Sequence, residues 1–281
     1  TDKMERHPFC KRPQNGRHTI FPQLRTLVFS GVSSVKIFKY LIIAFALAVS
    51  GVTYAYANVV RLALIDYSDF REVDGNVYLS KELPEDAEQK VAVLLLDARK
   101  RIAAHYGKYN AEPVIVALGN QEELKNYGLN DSPGMLLFAP WNSYLLLNYQ
   151  MASVDVTAHE LIHAEVVHRV GYLKRQFDIP TWFDEGAAMQ VDYRPKYDSV
   201  IAIDQAEFLR LTSLDTPAKF WSLNKDQNVQ NYRAAKSAVS EIFKQSDESL
   251  YSILAKIHGA KESAITSVVQ ETNKALQRTS R

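Results

Sequence analysis

The stretch Ser153-Val154-Asp155-Val156-Thr157-Ala158-His159-Glu160-Leu161-Ile162-His163-Ala164-Glu165-Val166-Val167-His168-Arg169-Val170 decides how this chain is read. Its ends carry helix punctuation. Ser153 can cap the first turn, Asp155 lies within it, and no Gly or Pro intervenes before Gly171. On such a helix His159 and His163 are about 40° apart in rotation and roughly 6 Å apart along the axis. Both imidazoles leave one face, close enough to share a metal ion. Val156, Val166, Val167 and Val170 fall on the same side, so that face is predicted to point inward. A catalytic zinc takes nitrogen ligands at about 2.0–2.1 Å, with three protein ligands and an open position for water. Glu160 stands at the rim of the face, where its carboxylate can act as the base toward that water.

A third ligand is needed, and the same helix does not supply it. His168 lies about 180° around the helix from His159, and Glu165 about 200° from His163, so neither turns toward a shared ion. Val166 and Arg169 stand where an extended H-E-x-x-H-x-x-G-x-x-H pattern needs Gly and His, which excludes the metzincin arrangement. Downstream, Pro180-Thr181-Trp182-Phe183-Asp184-Glu185-Gly186-Ala187-Ala188 reads as a second buried helix opened by proline. It carries two carboxylates, Asp184 and Glu185, which point about 100° apart.

H-E-x-x-H followed by W-x-x-E-G-x-A resembles the gluzincin superfamily of zinc metallopeptidases, which includes the thermolysin-like and aminopeptidase families. The nearest likeness is to the small peptidase-MA-like domains, over residues 75 to 275. The resemblance implies that Glu185 is the third ligand of a single zinc ion (Zn2+, one per chain), beside His159 and His163. It also implies a peptide or protein substrate, hydrolysed by water that Glu160 activates. In that superfamily an edge strand holds extended peptide, and the counterpart here is the hairpin just before the zinc helix. Several of its families supply a Tyr or His to the oxyanion from a downstream helix. Tyr232 resembles that residue in position, at the start of the first helix after the zinc pair; its phenol stays protonated at neutral pH. The chain departs from the thermolysin-like pattern at Met189, where an Asp orients a zinc histidine; Asp155, one turn before His159, is the expected replacement.

Of the 281 residues, the first 40 hold eight Lys/Arg against Asp2 and Glu5, a balance of +6 that leaves −5 on the remainder of a chain with net charge +1. A mildly acidic body argues against a nucleic-acid partner. From Tyr40 to Val60 no residue is charged, a length that spans a bilayer as a helix. Lys36 and Lys39 place its N-terminal end in the cytoplasm, and the body outside. The expected organisation is therefore a basic cytoplasmic tail (1–39), a transmembrane signal anchor (40–60), a linker (61–74) and a metallopeptidase domain (75–281). A cleavable signal peptide is the competing reading of 40–60, with Ala55-Tyr56-Ala57 as its site. The only cysteine, Cys10, sits in the basic tail, so no disulfide supports the body.

Within the body, Asn76–Leu79 and Pro113–Leu118 read as strands, and Leu83–Tyr106 as a long amphipathic helix closed near Gly107. Gln121–Tyr127 reads as a short helix, and Met135–Phe138 with Ser143–Tyr149 as a hairpin around Pro140-Trp141-Asn142. Helices are expected from Asn231, over Glu248–His258 and over Glu262–Leu276. The fold class that follows is α+β: a small mixed sheet, then zinc-binding helices and a helical C-terminal lobe, with an N-terminal transmembrane helix. Three functions compete: a membrane-tethered zinc peptidase, a non-catalytic, zinc-stabilised binding or assembly module of the same fold, and a structural membrane protein in which the H-E-x-x-H pentamer is coincidental. Intact Glu160 beside intact ligands favours the enzyme, because a purely structural site needs no base.

Overall fold

Val114–Leu118 (β3) and Ser143–Asn148 (β5) are almost wholly apolar because both of their faces are covered. Ile115, Ala117, Leu145 and Leu147 enter one core, while Val116, Leu118, Tyr144 and Leu146 enter a second on the other side of the sheet. This is the side-chain alternation of a strand, with apolar groups on both faces. The computed structural model describes residues 37–45, 57–198, 201–259 and 264–279. The chain divides into two units, Thr1–Val52 and Thr53–Arg281. In the first, 37–45 form a helix (α1) with exposed side chains. Among the described residues no helix is long and apolar enough to cross a membrane. Residues 46–56 of the expected span 40–60, and Cys10 with the basic tail to residue 36, lie outside the described residues.

The second unit is α+β. Its five strands also include Arg71–Glu72 (β1), Val77–Leu79 (β2) and Gly134–Phe138 (β4), in the order β1-β2-β3-β5-β4. β2, β3 and β5 run parallel, and β1 and β4 close the edges antiparallel. The stretch 61–74, expected as a linker, contributes structure instead. It carries the end of α2 (Ala57–Ala63), a 3-10 turn at Ile65–Tyr67 and β1, and it buries Leu62 and Ile65 in the second core with Tyr127 and Leu129. The short helix Gln121–Asn126 (α4) covers the same face through Leu124.

The first core receives the helices. α3 (Ala87–Tyr106) packs against α5 (Val154–Val170), which follows β5 after a short loop. Ser153 caps α5 by accepting from Val156 N, and Gly171 ends it at φ 85°, a conformation that favours glycine. A helix at Tyr172–Asp178 (α6), not expected from the sequence, turns the chain back into α7 (Thr181–Ala188), every residue of which is buried. After α8 (Gln205–Thr212) and α9 (Pro217–Phe220) comes the 22-residue α10 (Lys225–Ser246), followed by α11 (Leu250–Gly259) and α12 (Ala264–Thr279).

α10 lies against α7 so closely that a Cβ on Gly186 would meet the Ala235 carbonyl oxygen at 2.5 Å and Val239 Cγ2 at 2.6 Å. Glycine is therefore required there by helix packing. The placement of Tyr232 at a helix start is corrected: α10 begins at Lys225, capped by Asn224, whose side chain accepts from Asp226 N and Gln227 N. The start of α10, residues 225–231, carries Val229 as its one apolar residue, so it lacks the apolar periodicity by which a sequence reveals a helix.

Candidate metal centre

α5 and α7 bring His159, His163 and Glu185 together at less than a tenth of their full exposure. Glu185 Oε2 lies 3.3 Å from His159 Nε2 and 3.6 Å from His163 Nε2, and the two Nε2 atoms are 3.3 Å apart. Tetrahedral coordination with bonds of about 2.0–2.1 Å requires ligand atoms about 3.3–3.4 Å apart. The triangle has the dimensions of one face of such a tetrahedron.

The remaining ring nitrogens are also directed. His163 Nδ1 faces Asp184 Oδ2 at 3.0 Å, and His159 Nδ1 faces Asp192 Oδ2 at 3.4 Å, neither in the alignment of a full hydrogen bond. A carboxylate beside Nδ1 favours the tautomer with its proton there and leaves the Nε2 lone pair for a ligand role. Three acceptors then converge with no donor among them, and Glu185 Oε2 is buried without a hydrogen-bond partner. Charge points the same way. Among the described residues Asp184 pairs with Arg175 and Asp192 with Arg194, while the carboxylates of Glu160 and Glu185 have no Lys or Arg ion-pair partner, so two negative charges remain unpaired when both rings are neutral. A divalent cation fits this donor set.

The protonation equilibria reflect that excess charge. Burial alone would lower His159, but Asp192 and Glu185 reverse this and push it up to about 9. Burial likewise opposes charge on His163, yet Asp184 and Glu185 hold it well above its ordinary value. Glu185, which burial would raise, is held down to about 2 by His163 and His159. Asp184 and Asp192 are also depressed against their burial, the first mainly by Arg175 and His163, the second mainly by His159 and Arg194.

Sequence reasoning missed both supporting aspartates. Asp155 does not face His159. It accepts from Arg101 at 2.5 Å and from Tyr193 N at 3.1 Å, and Arg101 also donates to Val191 O at 3.1 Å. Asp155 therefore clamps the segment 191–193 that carries Asp192, and acts on His159 at one remove. Asp192 follows a 3-10 turn at Met189–Val191 that departs from the α7 helical path. The thermolysin-like pattern, which places the orienting Asp four residues after the ligand Glu, points to buried Met189 instead of to it. Asp184 pointed away from Glu185 as expected, but toward the far nitrogen of His163.

The other residues singled out in the sequence fall as follows. His168 is exposed, and Glu165 is buried on another side of α5, where it accepts from Asn110 N, Ala111 N and Arg169. Glu160 is half-buried, and its Oε2 accepts from Leu136 N of β4 at 2.8 Å. Gly134 permits this approach, since a Cβ there would meet Val156 Cγ1 at 2.7 Å. Tyr232, in the third turn of α10, has its ring centroid 6.2 Å from that of His159 and packs on Phe220 and Tyr197. Its hydroxyl accepts from Trp221 Nε1 at 3.0 Å. An indole N–H only donates, so the phenol proton is left free for another acceptor. Burial, and then the negative charge of Glu185, keep that phenol well above its ordinary range, hence protonated. Buried Asn231 fixes the approach by donating to Phe220 O at 2.7 Å.

These groups share a cleft of about 500 Å³ between β4 and the helices, in which His159, Glu160, His163, Glu185 and Tyr232 meet Leu136 of the strand edge. The arrangement can hold a cation, place a carboxylate base beside it and present a neutral phenol donor in the same cleft. Comparison with protein-family models, curated proteins and solved structures finds no match for the chain.

Proposed function

We propose that the chain is a zinc-dependent peptidase of gluzincin type, with His159, His163 and Glu185 as ligands. The observation that carries this reading is the 3.3–3.6 Å triangle of ligand atoms with Glu160 adjoining it. Two nitrogens and one carboxylate in tetrahedral spacing suit zinc, and three protein ligands leave a position for water. When bound, the metal supplies Lewis acidity toward a substrate carbonyl and a water molecule. Glu160 takes a proton from the attacking water and returns it to the leaving nitrogen as the peptide bond breaks. Tyr232 donates its free O–H to the carbonyl oxygen as negative charge develops there. Asp184 and Asp192 hold the two rings in the tautomer that coordination needs. The open edge of β4 is the side along which an extended peptide lies.

The test is hydrolysis of a peptide library by the zinc-loaded protein beside Glu160→Gln, with metal content measured on both. Cleavage by the wild type alone, at equal zinc, is the expected result. Equal metal with cleavage by neither would make the site a structural one.

The uncharged run Tyr40–Val60 behind a basic flank supports a membrane tether with residues 61–281 outside the cytoplasm. A reporter fused after Arg281 that is active in the cytoplasm would overturn that orientation. A mature N-terminus at Asn58 would select the cleaved form.

A further inference from the structure

The backbone hydrogen bonds Ala139 N to Asn142 O and Asn148 N to Pro133 O fix which residues of β4 face its partner strand. Alternation along an antiparallel ladder then assigns residues 133, 135, 137 and 139 to pairing with β5. The N–H and C=O groups of Gly134, Leu136 and Phe138 point to the open edge, toward the cleft. The middle one of these three N–H groups is not free. Leu136 N donates to Glu160 Oε2 at 2.8 Å, so the carboxylate read as the base occupies the donor that a strand added at this position would use.

We propose that Leu136 N–H is a shared donor: it holds Glu160 at rest, and a substrate main chain pairing with β4 takes it over, so that release of the base is coupled to strand addition. This rests on the reading of Glu160 as base and β4 as the peptide edge. A backbone N–H has one proton, and a carboxylate and a carbonyl compete for it when both cannot align. Small molecules that reach the metal without a main chain leave Glu160 on the strand; an extended chain frees it to turn to water. The substrate class that follows is an extended polypeptide segment, selected by its backbone as well as by its side chains.

Competition has a thermodynamic signature that does not require turnover. Two probes bind the zinc-loaded full chain through the same hydroxamate group: acetohydroxamate, which has no main chain, and an extended peptide hydroxamate. Their affinity ratio removes any effect of Glu160 on the hydroxamate itself. Glu160→Ala is expected to raise the preference for the peptide probe by about tenfold, since one competing charge-assisted hydrogen bond is removed. Leu136→Pro deletes the N–H at an outward-facing edge position, where proline is tolerated, and should lower the preference below wild type. Leu136→Ala keeps the N–H while losing the same side chain, so its ratio should lie above that of Leu136→Pro.

An unchanged ratio in Glu160→Ala, or no preference for the peptide probe in any form, overturns the proposal. Should Leu136→Pro fail to fold, amide exchange in the metal-free protein decides the resting contact: Leu136 N–H must exchange faster in Glu160→Ala than in wild type. Cleavage of the parent peptide is assayed separately. The expected binding pattern without cleavage would remove the peptidase reading and leave the shared donor standing, while cleavage with an unchanged ratio would do the reverse.

Discussion

Asp184 Oδ2 lies 3.0 Å from His163 Nδ1, while the next residue, Glu185, approaches the same ring from its Nε2 side at 3.6 Å. Two consecutive carboxylates on α7 thus bracket one imidazole, with the metal side assigned to the second. Arg175 pairs with Asp184 and stacks over Phe138 at 4.4 Å, fixing the carboxylate from behind. Asp184→Asn keeps an acceptor for the ring N–H and loses the charge. It is expected to lower metal affinity by roughly 10–100-fold while a full equivalent still binds at saturation. Glu185→Ala should instead lose most of the metal. Competition with a chromogenic chelator measures both; metal retained by Glu185→Ala and lost from Asp184→Ala would exchange their roles.

Gly186 matters for a different reason. Its missing Cβ is what allows Ala235 O and Val239 of α10 to lie against α7. Gly186→Ala introduces contacts of 2.5 and 2.6 Å, one of them to backbone, which side-chain motion does not relieve. The helices must separate, at a cost of about 1–3 kcal/mol. Thermal unfolding should show the loss. Activity should fall further than stability explains, because α10 carries Tyr232. Wild-type stability in Gly186→Ala would show that α10 adjusts freely.

Metal removal should be visible in stability, since the folded chain brings together three atoms that could hold an ion and the unfolded chain lacks that convergent geometry. With free metal at about 100 times its dissociation constant, linkage contributes about 2.7 kcal/mol. For a domain of this size that corresponds to roughly 5–10 °C in Tm. Adding a strong chelator should lower Tm of the wild type by that amount and leave His159→Ala unchanged. His168→Ala should respond like wild type, because His168 is exposed and away from the site. A chelator shift that persists in His159→Ala would place the metal elsewhere.

The parts of this site legible in the sequence are those fixed by helical period. Five residues on α5 place two histidines and Glu160, and capping signals at Ser153 and Gly171 set the helix ends. The sheet was legible in its strands, because Val114–Leu118 and Ser143–Asn148 are apolar runs, whereas the order β1-β2-β3-β5-β4 depends on pairings no single run encodes. Asp192 was illegible because a 3-10 turn breaks the period between it and Glu185. Residues 61–74 read as a connector because the apolar positions that the fold buries, Leu62 and Ile65, are isolated among exposed ones. The start of α10 is hidden for the converse reason: Val229 is the one apolar residue in its first two turns, before its apolar face begins.

Tyr232 reaches the metal site by a route that its sequence position does not show. It lies inside α10, not at its start, and Gly186 brings that helix close enough for its ring to approach His159. Its hydroxyl has one acceptor role filled by Trp221 Nε1, so its own proton is oriented away from that indole. If this O–H stabilises charge developing on the substrate carbonyl, the contact strengthens in the transition state and adds little to ground-state binding. Tyr232→Phe should therefore keep zinc content, folding and KM near wild type and lower kcat by roughly 10²–10³-fold. Trp221→Phe removes the indole donor but keeps the phenol, and should cost less, about tenfold, by loosening the phenol's orientation. A packing role predicts the opposite ranking in a different assay: Tyr232→Phe would leave kcat intact, and only truncation to Ala, which strips the contacts with Phe220 and Tyr197, would matter through stability. Steady-state kinetics on the two conservative variants, read beside their melting temperatures, separates the roles. Near-full turnover in Tyr232→Phe returns the residue to the core.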